Sequence, residues 1–304
     1  MNEIVYAQLH AHSRYSINNL SGEGVIHKYV WPIERQIIKN IMLKAEKIEK
    51  IAKSLGLSYV ALTEHNTVPD YESDVIIKSE EWGQKKGHSS FINIKETINP
   101  ECEYFKNFVL NPNLNFTEAA KKAKENGAFI IINHPFKKDL WKWGEESYEF
   151  VDAIEIWNGP WNNENEKAYH FWKKLIENKK RILPVAGNDF HIPYINKLNE
   201  NLIVSPRTNS KEEFIKILKK GAYSITKNTF TPAVFINEDL EFEIINCKGE
   251  FIIKMVSNGI EKKISKNICK GNVDIEIKDF VFIELWKDNM PLSFSSPIFF
   301  LIII

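Results

Sequence analysis

An excess of charge of either sign is missing from this sequence. Forty Lys and Arg residues stand against forty Asp and Glu over 304 residues, a formal net charge of zero. No global field therefore steers the chain toward nucleic acid or an anionic membrane. Long apolar runs are missing too. The longest, PIFFLIII from Pro297 to Ile304, falls well short of the roughly 20 residues that span a bilayer and reads as a buried strand. Cysteine is scarce: Cys102, Cys247 and Cys269 are odd in number and lack CxxC spacing. That pattern argues against a purely structural zinc site and leads us to expect free thiols in a reducing compartment. The opening MNEIVYAQLHAH carries no basic-plus-apolar signal sequence, so a cytoplasmic setting is the default expectation.

What is present begins with alternating or short apolar segments, which predict strands at Ile4 to His10, Ser58 to Thr63, Asp74 to Ser79, Ala128 to Asn133, Asp152 to Trp157, Ile182 to Gly187 and Ala222 to Lys227. Helical spacing falls between several of them. Ile33 to Leu55 ends at Gly56, Thr117 serves as an N-cap for a helix to Gly127, and a third helix covers about Glu164 to Asn178. Ser210 with Glu213 resembles a capping box that opens a helix ending at Gly221. Strands alternating with helices predict a mainly parallel α/β sheet, open or closed into a barrel. Beyond about Phe230 the helical signal stops. Turns at Asn246 to Gly249, Asn258 to Gly259 and Asp288 to Asn289 then predict a small all-β module, dividing the chain into residues 1–230 and 231–304. Ser13 to Pro32 and the Tyr71 to His88 neighbourhood are candidate active-site loops.

The chain has eight histidines, and six fall in short segments at or just beyond a predicted strand: LHAHS (His10, His12), TEHN (His65), EEWGQKKGH (His88), INHP (His134) and GNDFH (Asp189, His191). In a parallel α/β architecture the carboxyl ends of strands converge on one rim, where residues distant in sequence meet. The i, i+2 spacing of His10 and His12 puts both imidazoles on one side of a strand. Asp189 and His191 repeat that spacing after Gly187, a residue that permits an unusual backbone angle. Glu81 can bridge two cations, with Glu80 as the competing assignment. His134, before a proline, is expected in an extended rim position. His27 and His170 have no such context. Trp157, Trp161 and Trp172 read as core before they read as pocket, and Lys137 and Lys138 as a solvated loop before an anion contact.

Taken in order, HAH, TEH, the glutamate with GH, NHP and NDFH resemble the polymerase and histidinol phosphatase (PHP) superfamily. IEIWNGPW, from Ile154 to Trp161, is similar to the branch that includes the carbaryl hydrolases. The resemblance implies a distorted seven-stranded β/α, TIM-like barrel with the small β module appended, and two to three divalent ions, zinc, manganese or iron. By position, His10, His12 and Asp189 would hold one ion and Glu81 would bridge it to a second, completed by His88 and His134. His65 and His191 would belong to a third, with Glu81 and His191 assigned to catalysis. Many relatives place an aspartate after the HxH segment, where this chain has Ile17 after Ser16; Asn18 or a water would have to substitute.

Two bridged cations lower the pKa of a shared water and polarise the bond it attacks. The expected function is therefore a metal-dependent hydrolase, a phosphoesterase first and a carboxylic ester, amide or carbamate hydrolase second. A non-catalytic, metal-stabilised binding domain is the third reading. The expected partner is a small-molecule, anionic ester, with Arg14 and Asn158 as candidate substrate contacts and no membrane partner.

Overall fold

The computed structural model describes residues 4–19, 37–84, 86–98, 115–137, 141–193, 195, 197–265 and 268–300, without the side chains of 17–19 and 84. Seven strands follow the chain in spatial order: β1 (Ile4–Ala11), β2 (Tyr59–His65), β3 (Ile76–Gln84), β4 (Gly87–Ile92), β5 (Phe129–Ile132), β6 (Ala153–Asn158) and β7 (Leu183–Gly187). β1, β2 and β3 pair in parallel, as do β5, β6 and β7. β4 is antiparallel to both β3 and β5. The segment after β7 returns to the end of β1, where His12 N donates to Phe190 O (2.7 Å) and Phe190 N to His10 O (3.2 Å).

This differs from the expected seven-stranded β/α barrel in two ways. The Tyr71 to His88 neighbourhood, where a strand is expected only over Asp74 to Ser79 and the rest reads as a loop, is largely the hairpin of β3 and β4, whose polar residues beyond Ser79 hide its strand pattern. The sheet also continues outward from β1, through β8 (Glu200–Pro206) and β9 (Ser224–Asn228), so β1 pairs with β8 as well as β2 and meets the segment after β7 only through the Ala11–Phe190 bridge. Three later strands form a separate sheet: β10 (Ala233–Ile236), β11 (Glu241–Ile245) and, after β12 (Ile252–Ser257) and β13 (Ile260–Ile264), β14 (Lys270–Asn272). β15 (Phe280–Lys287), β16 (Met290–Ser295) and β17 (Ile298–Phe299) complete the order, and β16 pairs with β9, joining β12, β13 and β15 to the main sheet. Asp288 and Asn289 turn the β15–β16 hairpin with φ of 50° and 61°, the left-handed values a tight hairpin needs.

Among the described residues, four longer helices pack on the main sheet. α1 (Ala45–Ser54) buries Ala45, Ile48 and Ala52 at helical spacing. Residues 37–41 form a separate helical turn, so the longer Ile33 to Leu55 helix is interrupted before Ala45. α2 (Phe116–Glu125) is capped by Asn115 with Glu118 in a capping box, two residues before the expected Thr117. α3 (Asn163–Glu177) is capped by Asn162 and buries Tyr169, Trp172 and Ile176. α4 (Lys211–Lys220) starts at Ser210 and ends at Gly221 with φ 70°. Trp157 and Trp172 are fully buried, whereas Trp161 is partly buried against Trp286 and Phe294. No described helix is long and apolar enough to cross a membrane.

The expectation of free thiols is corrected at one pair, because Cys247 and Cys269 are disulfide-bonded. Cys247 lies just after β11 and Cys269 just before β14, and these strands pair antiparallel. Register thus brings together two residues whose sequence separation of 22 gave no hint of contact. Cys102, His27 and Lys138 lie outside the described residues.

Candidate metal centre

His10, His12, His65, His134, Asp189 and His191 come from the ends of β1, β2, β5 and β7 or just beyond them, and Glu81 and His88 join them from the β3–β4 hairpin. Four groups of donor atoms lie within 4.8 Å of one another: His10, His12 and Asp189; Glu81, His88 and His134; His12, His65 and His191; and His10, His134 and Glu155. Register explains why Glu81 joins them and Glu80 does not. β2 and β3 pair with His65 opposite Glu81 and Glu64 opposite Glu80, so alternation sends the first pair to one face and the second to the other. Glu80 accepts from Ile98 N (3.0 Å), and burial pushes its carboxyl up to about 8.

The spacing between donors is the informative quantity. His10 Nε2 stands 3.3 Å from Glu81 Oε1 and 3.4 Å from Asp189 Oδ1. His12 Nε2 stands 3.3 Å from Asp189 Oδ1 and 3.6 Å from Glu81 Oε2. Glu81 Oε1 is 3.3 Å from His134 Nε2 and 3.2 Å from His88 Nδ1. Most of these separations exceed the 2.7–3.2 Å of a good N–H···O bond. They match the roughly 3.3–3.6 Å between neighbouring donors around a tetrahedral ion with bonds of about 2.0–2.2 Å. His10 Nε2, His12 Nε2, Glu81 Oε2 and His88 Nδ1 are buried without a hydrogen-bond partner, a costly state that a cation relieves. The donor set therefore fits divalent ions.

A surrounding layer fixes which nitrogen of each ring faces inward. His10 Nδ1 lies 2.9 Å from Glu155 Oε1, so a proton there leaves Nε2 toward Glu81 and Asp189. The single hydroxyl proton of Ser16 is directed at Glu64 Oε2 (2.5 Å). His12 Nδ1, 2.9 Å from Ser16 Oγ, must then donate, which leaves its Nε2 a bare acceptor. His191 Nδ1 donates to Asp189 O (2.9 Å), and its Nε2 faces His65 Nε2 at 3.2 Å. Glu64 also accepts from Ser13 N and Ser13 Oγ, which holds the whole HAHS turn in place.

Neither Glu155 nor Glu64 was singled out from the sequence. Both are fully buried carboxylates, Glu155 within the mostly apolar β6 and Glu64 following the apolar start of β2, and a carboxylate in such a run was the available signal. Glu155 Oε2 further accepts from His134 N (2.8 Å) and Asn158 Nδ2 (3.0 Å).

Two backbone expectations change. Gly187 is not in the left-handed region; its small size is what matters, because a Cβ there would lie 2.4 Å from both Glu155 Oε1 and His10 Cβ. His134 has φ 25° and Asp189 φ 46°, so His134 is not extended. The hydrogen bond from its N–H to Glu155 holds it in this sparsely populated region.

Charge is distributed unevenly over the cluster. Burial pushes the Glu81 and Asp189 carboxyls up, but the surrounding histidines, His88 and His10 beside Glu81 and His10 and His191 beside Asp189, hold both well below the usual range. Burial lowers His10, yet Glu155, Asp189 and Glu81 raise it well above the ordinary imidazole value. His12 is held well below that value by burial and by His191 and His65. A cation held at His10 would have to displace a proton that these carboxylates favour.

The remaining candidates lie around this cluster. Arg14 donates to Met42 O (3.3 Å). Asn158 orients Glu155 and borders a cavity of about 170 Å³ that also touches His134, Phe136, Lys137, Asn165 and Asp189. Lys137 Nζ is 2.7 Å from Asp189 Oδ2. His170 is exposed on α3, 3.9 Å from Glu166, and the side chains of Ile17 and Asn18 lie outside the described residues. A second cavity, of about 1080 Å³, lies at the opposite ends of β1 and β7, beside Ile4 and Leu183, and none of the histidines lines it.

No family model matches the sequence. An uncharacterized protein of Methanocaldococcus jannaschii is 26% identical over 163 residues, which are 50% of this chain and 81% of that protein. Among solved structures, a lesion-specific endonuclease of Pyrococcus furiosus aligns with a TM-score of 0.46 at 18% identity, over 83% of this chain and 62% of its own. A two-domain protein of Bacteroides vulgatus containing a predicted PHP-like metal-dependent phosphoesterase aligns with a TM-score of 0.50 at 14% identity, over 98% of this chain and 96% of that one. At that identity the likeness speaks for architecture alone, and over nearly its whole length the chain has the fold of the Bacteroides protein.

Proposed function

We propose that this chain is a metal-dependent hydrolase of the PHP type, acting as a phosphoesterase on small anionic esters, with its chemistry confined to residues 1–230. The observation that carries this reading is the cage of buried donors, several of them unpartnered, spaced 2.9–3.6 Å from the Glu81 carboxylate. His10, His12 and Asp189 would hold one divalent ion, Glu81, His88 and His134 a second, and His65 and His191 a third, with zinc, manganese and iron all suited to imidazole and carboxylate. Divalent cations bound there supply Lewis-acid polarisation of an ester and acidify water. The chain's own residues do the positioning: Glu155 and Ser16 fix the tautomers of His10 and His12, and Glu64 holds the turn between them.

Three measurements test this. Elemental analysis after reconstitution should give about two or more divalent ions per chain, as a metal pair requires. Chelation should abolish turnover on a panel of phosphate, carboxylate and carbamate esters, and readdition should restore it. Glu81→Gln should cost orders of magnitude in rate while leaving the fold intact. Fewer than about one ion per chain would remove the basis of the proposal. A fully loaded protein inactive on every ester class would leave the non-catalytic binding reading.

A further inference from the structure

The cavity beside His134 and Asp189 opens directly onto the centre, and its polar walls are almost wholly committed to holding themselves in place. Asn158 Nδ2 donates to Glu155. The Asn165 amide donates to the carbonyls of Asn158 (3.1 Å) and Pro160 (2.9 Å) and accepts from Asn158 N (2.8 Å). Asn188 donates to Lys197 O. Phe136 supplies an apolar patch, edge-on to Phe171.

Lys137 is different. Its ammonium carries three N–H donors, one of them aimed at Asp189 Oδ2 at 2.7 Å, and its side chain is 43% exposed. Because Asp189 presents Oδ1 to His10 and His12, Lys137 sits on the outer oxygen of a carboxylate whose inner oxygen faces the centre. This places a cation one carboxylate away from where an ester would lie, at the mouth of the adjoining cavity. Among the described residues, the other acidic side chains on that cavity are Glu155, already engaged by His10, His134 and Asn158, and the exposed Glu164.

We propose that Lys137 binds a non-bridging oxygen of a phosphate monoester whose small alcohol portion occupies the 170 Å³ cavity, and that this contact selects monoesters over diesters and neutral esters. The inference rests on the hydrolase reading and deepens it. A monoester presents one more negative charge than a diester, and a neutral ester none, so a fixed ammonium discriminates among them in that order. The volume adds a second filter, since it lies below the roughly 300–1,000 Å³ of pockets that enclose drug-sized ligands.

The test compares wild type, Lys137→Gln and Lys137→Arg, each loaded with zinc, by calorimetric titration of inorganic phosphate alongside metal analysis and turnover. Lys137→Gln is expected to weaken phosphate binding by about tenfold or more, the worth of one charged hydrogen bond, with zinc per chain unchanged. Its monoester-to-neutral-ester rate ratio should fall by a similar factor. Lys137→Arg, which keeps the charge, should stay within a few-fold of wild type. Unchanged phosphate affinity in Lys137→Gln overturns the proposal, as does a loss of phosphate binding that merely follows a loss of zinc, since Lys137 would then act only through Asp189. If wild type hydrolyses a phosphate ester and Lys137→Gln is indistinguishable from it, this inference fails and the hydrolase reading stands. If wild type hydrolyses no ester yet binds phosphate through Lys137, the hydrolase reading fails and the binding site stands.

Discussion

Gly187 lies against His10 so closely that a Cβ on the glycine would stand 2.4 Å from the His10 Cβ and equally close to a Glu155 oxygen. The end of β7 thereby presses a side-chain-free backbone into the gap where His10 and Glu155 meet. Gly187→Ala must displace one of the two. We expect a stability loss of roughly 1–3 kcal/mol, typical of overpacking, together with weakened metal binding. Urea unfolding and metal titration would read the two effects, and a variant unchanged in both would show that the approach is looser than described.

Glu155 orients His10 from behind, and its charge is the strongest of those raising that imidazole. Replacing it with Gln keeps the shape and removes the charge. Metal affinity should fall by about 10–100-fold, as it does when partners of this kind are altered at other metal sites, with circular dichroism unchanged. Undiminished affinity would mean that His10 needs no such support.

A pH dependence follows from Tyr71 and Glu49, whose hydroxyl and carboxylate are 2.6 Å apart. Lys53 and Tyr71 together bring the Glu49 carboxyl down to about 2, and Glu49 raises the Tyr71 phenol to about 12. The depressed carboxyl contributes stability that is complete above the ordinary carboxylate value and is lost as pH falls toward 2. The raised phenol contributes stability that is complete below about 10, its ordinary value, and is lost as pH rises through 12. Tyr71→Phe should therefore be destabilised most between these limits and converge with wild type at both extremes. Because both groups sit near solvent the effect should be small; a difference between the two proteins that does not vary with pH would exclude the linkage.

The bond between Cys247 and Cys269 closes a loop on the three-stranded sheet, away from the histidines. Reduction under denaturing conditions should add two titratable thiols, and the double Cys→Ser variant should lose about 2–4 kcal/mol of stability without losing metal. Equal thiol counts before and after reduction would restore the expectation of free cysteines.

The sequence by itself determined the local elements that carry their own period and punctuation. β1, β2, β5, β6 and β7 were legible as apolar or alternating runs, and Ser210, Gly221 and the Asp288–Asn289 turn marked element ends because capping and left-handed turns are short-range chemistry. The six histidines were legible as a group because they recur at strand ends.

What only the tertiary structure decided is which groups face one another across the sheet. β4 and β8 are too polar, or too short in pattern, to announce themselves. Register with His65 selects Glu81 over its neighbour Glu80, and the return of the chain after β7 brings Glu155 behind His10 and makes Gly187 a matter of space rather than of backbone angle. The same long-range pairing joins Cys247 to Cys269. Side-chain period and capping act within a turn or two of chain, whereas each of these pairings depends on strand register, which is set by contacts between residues far apart in sequence.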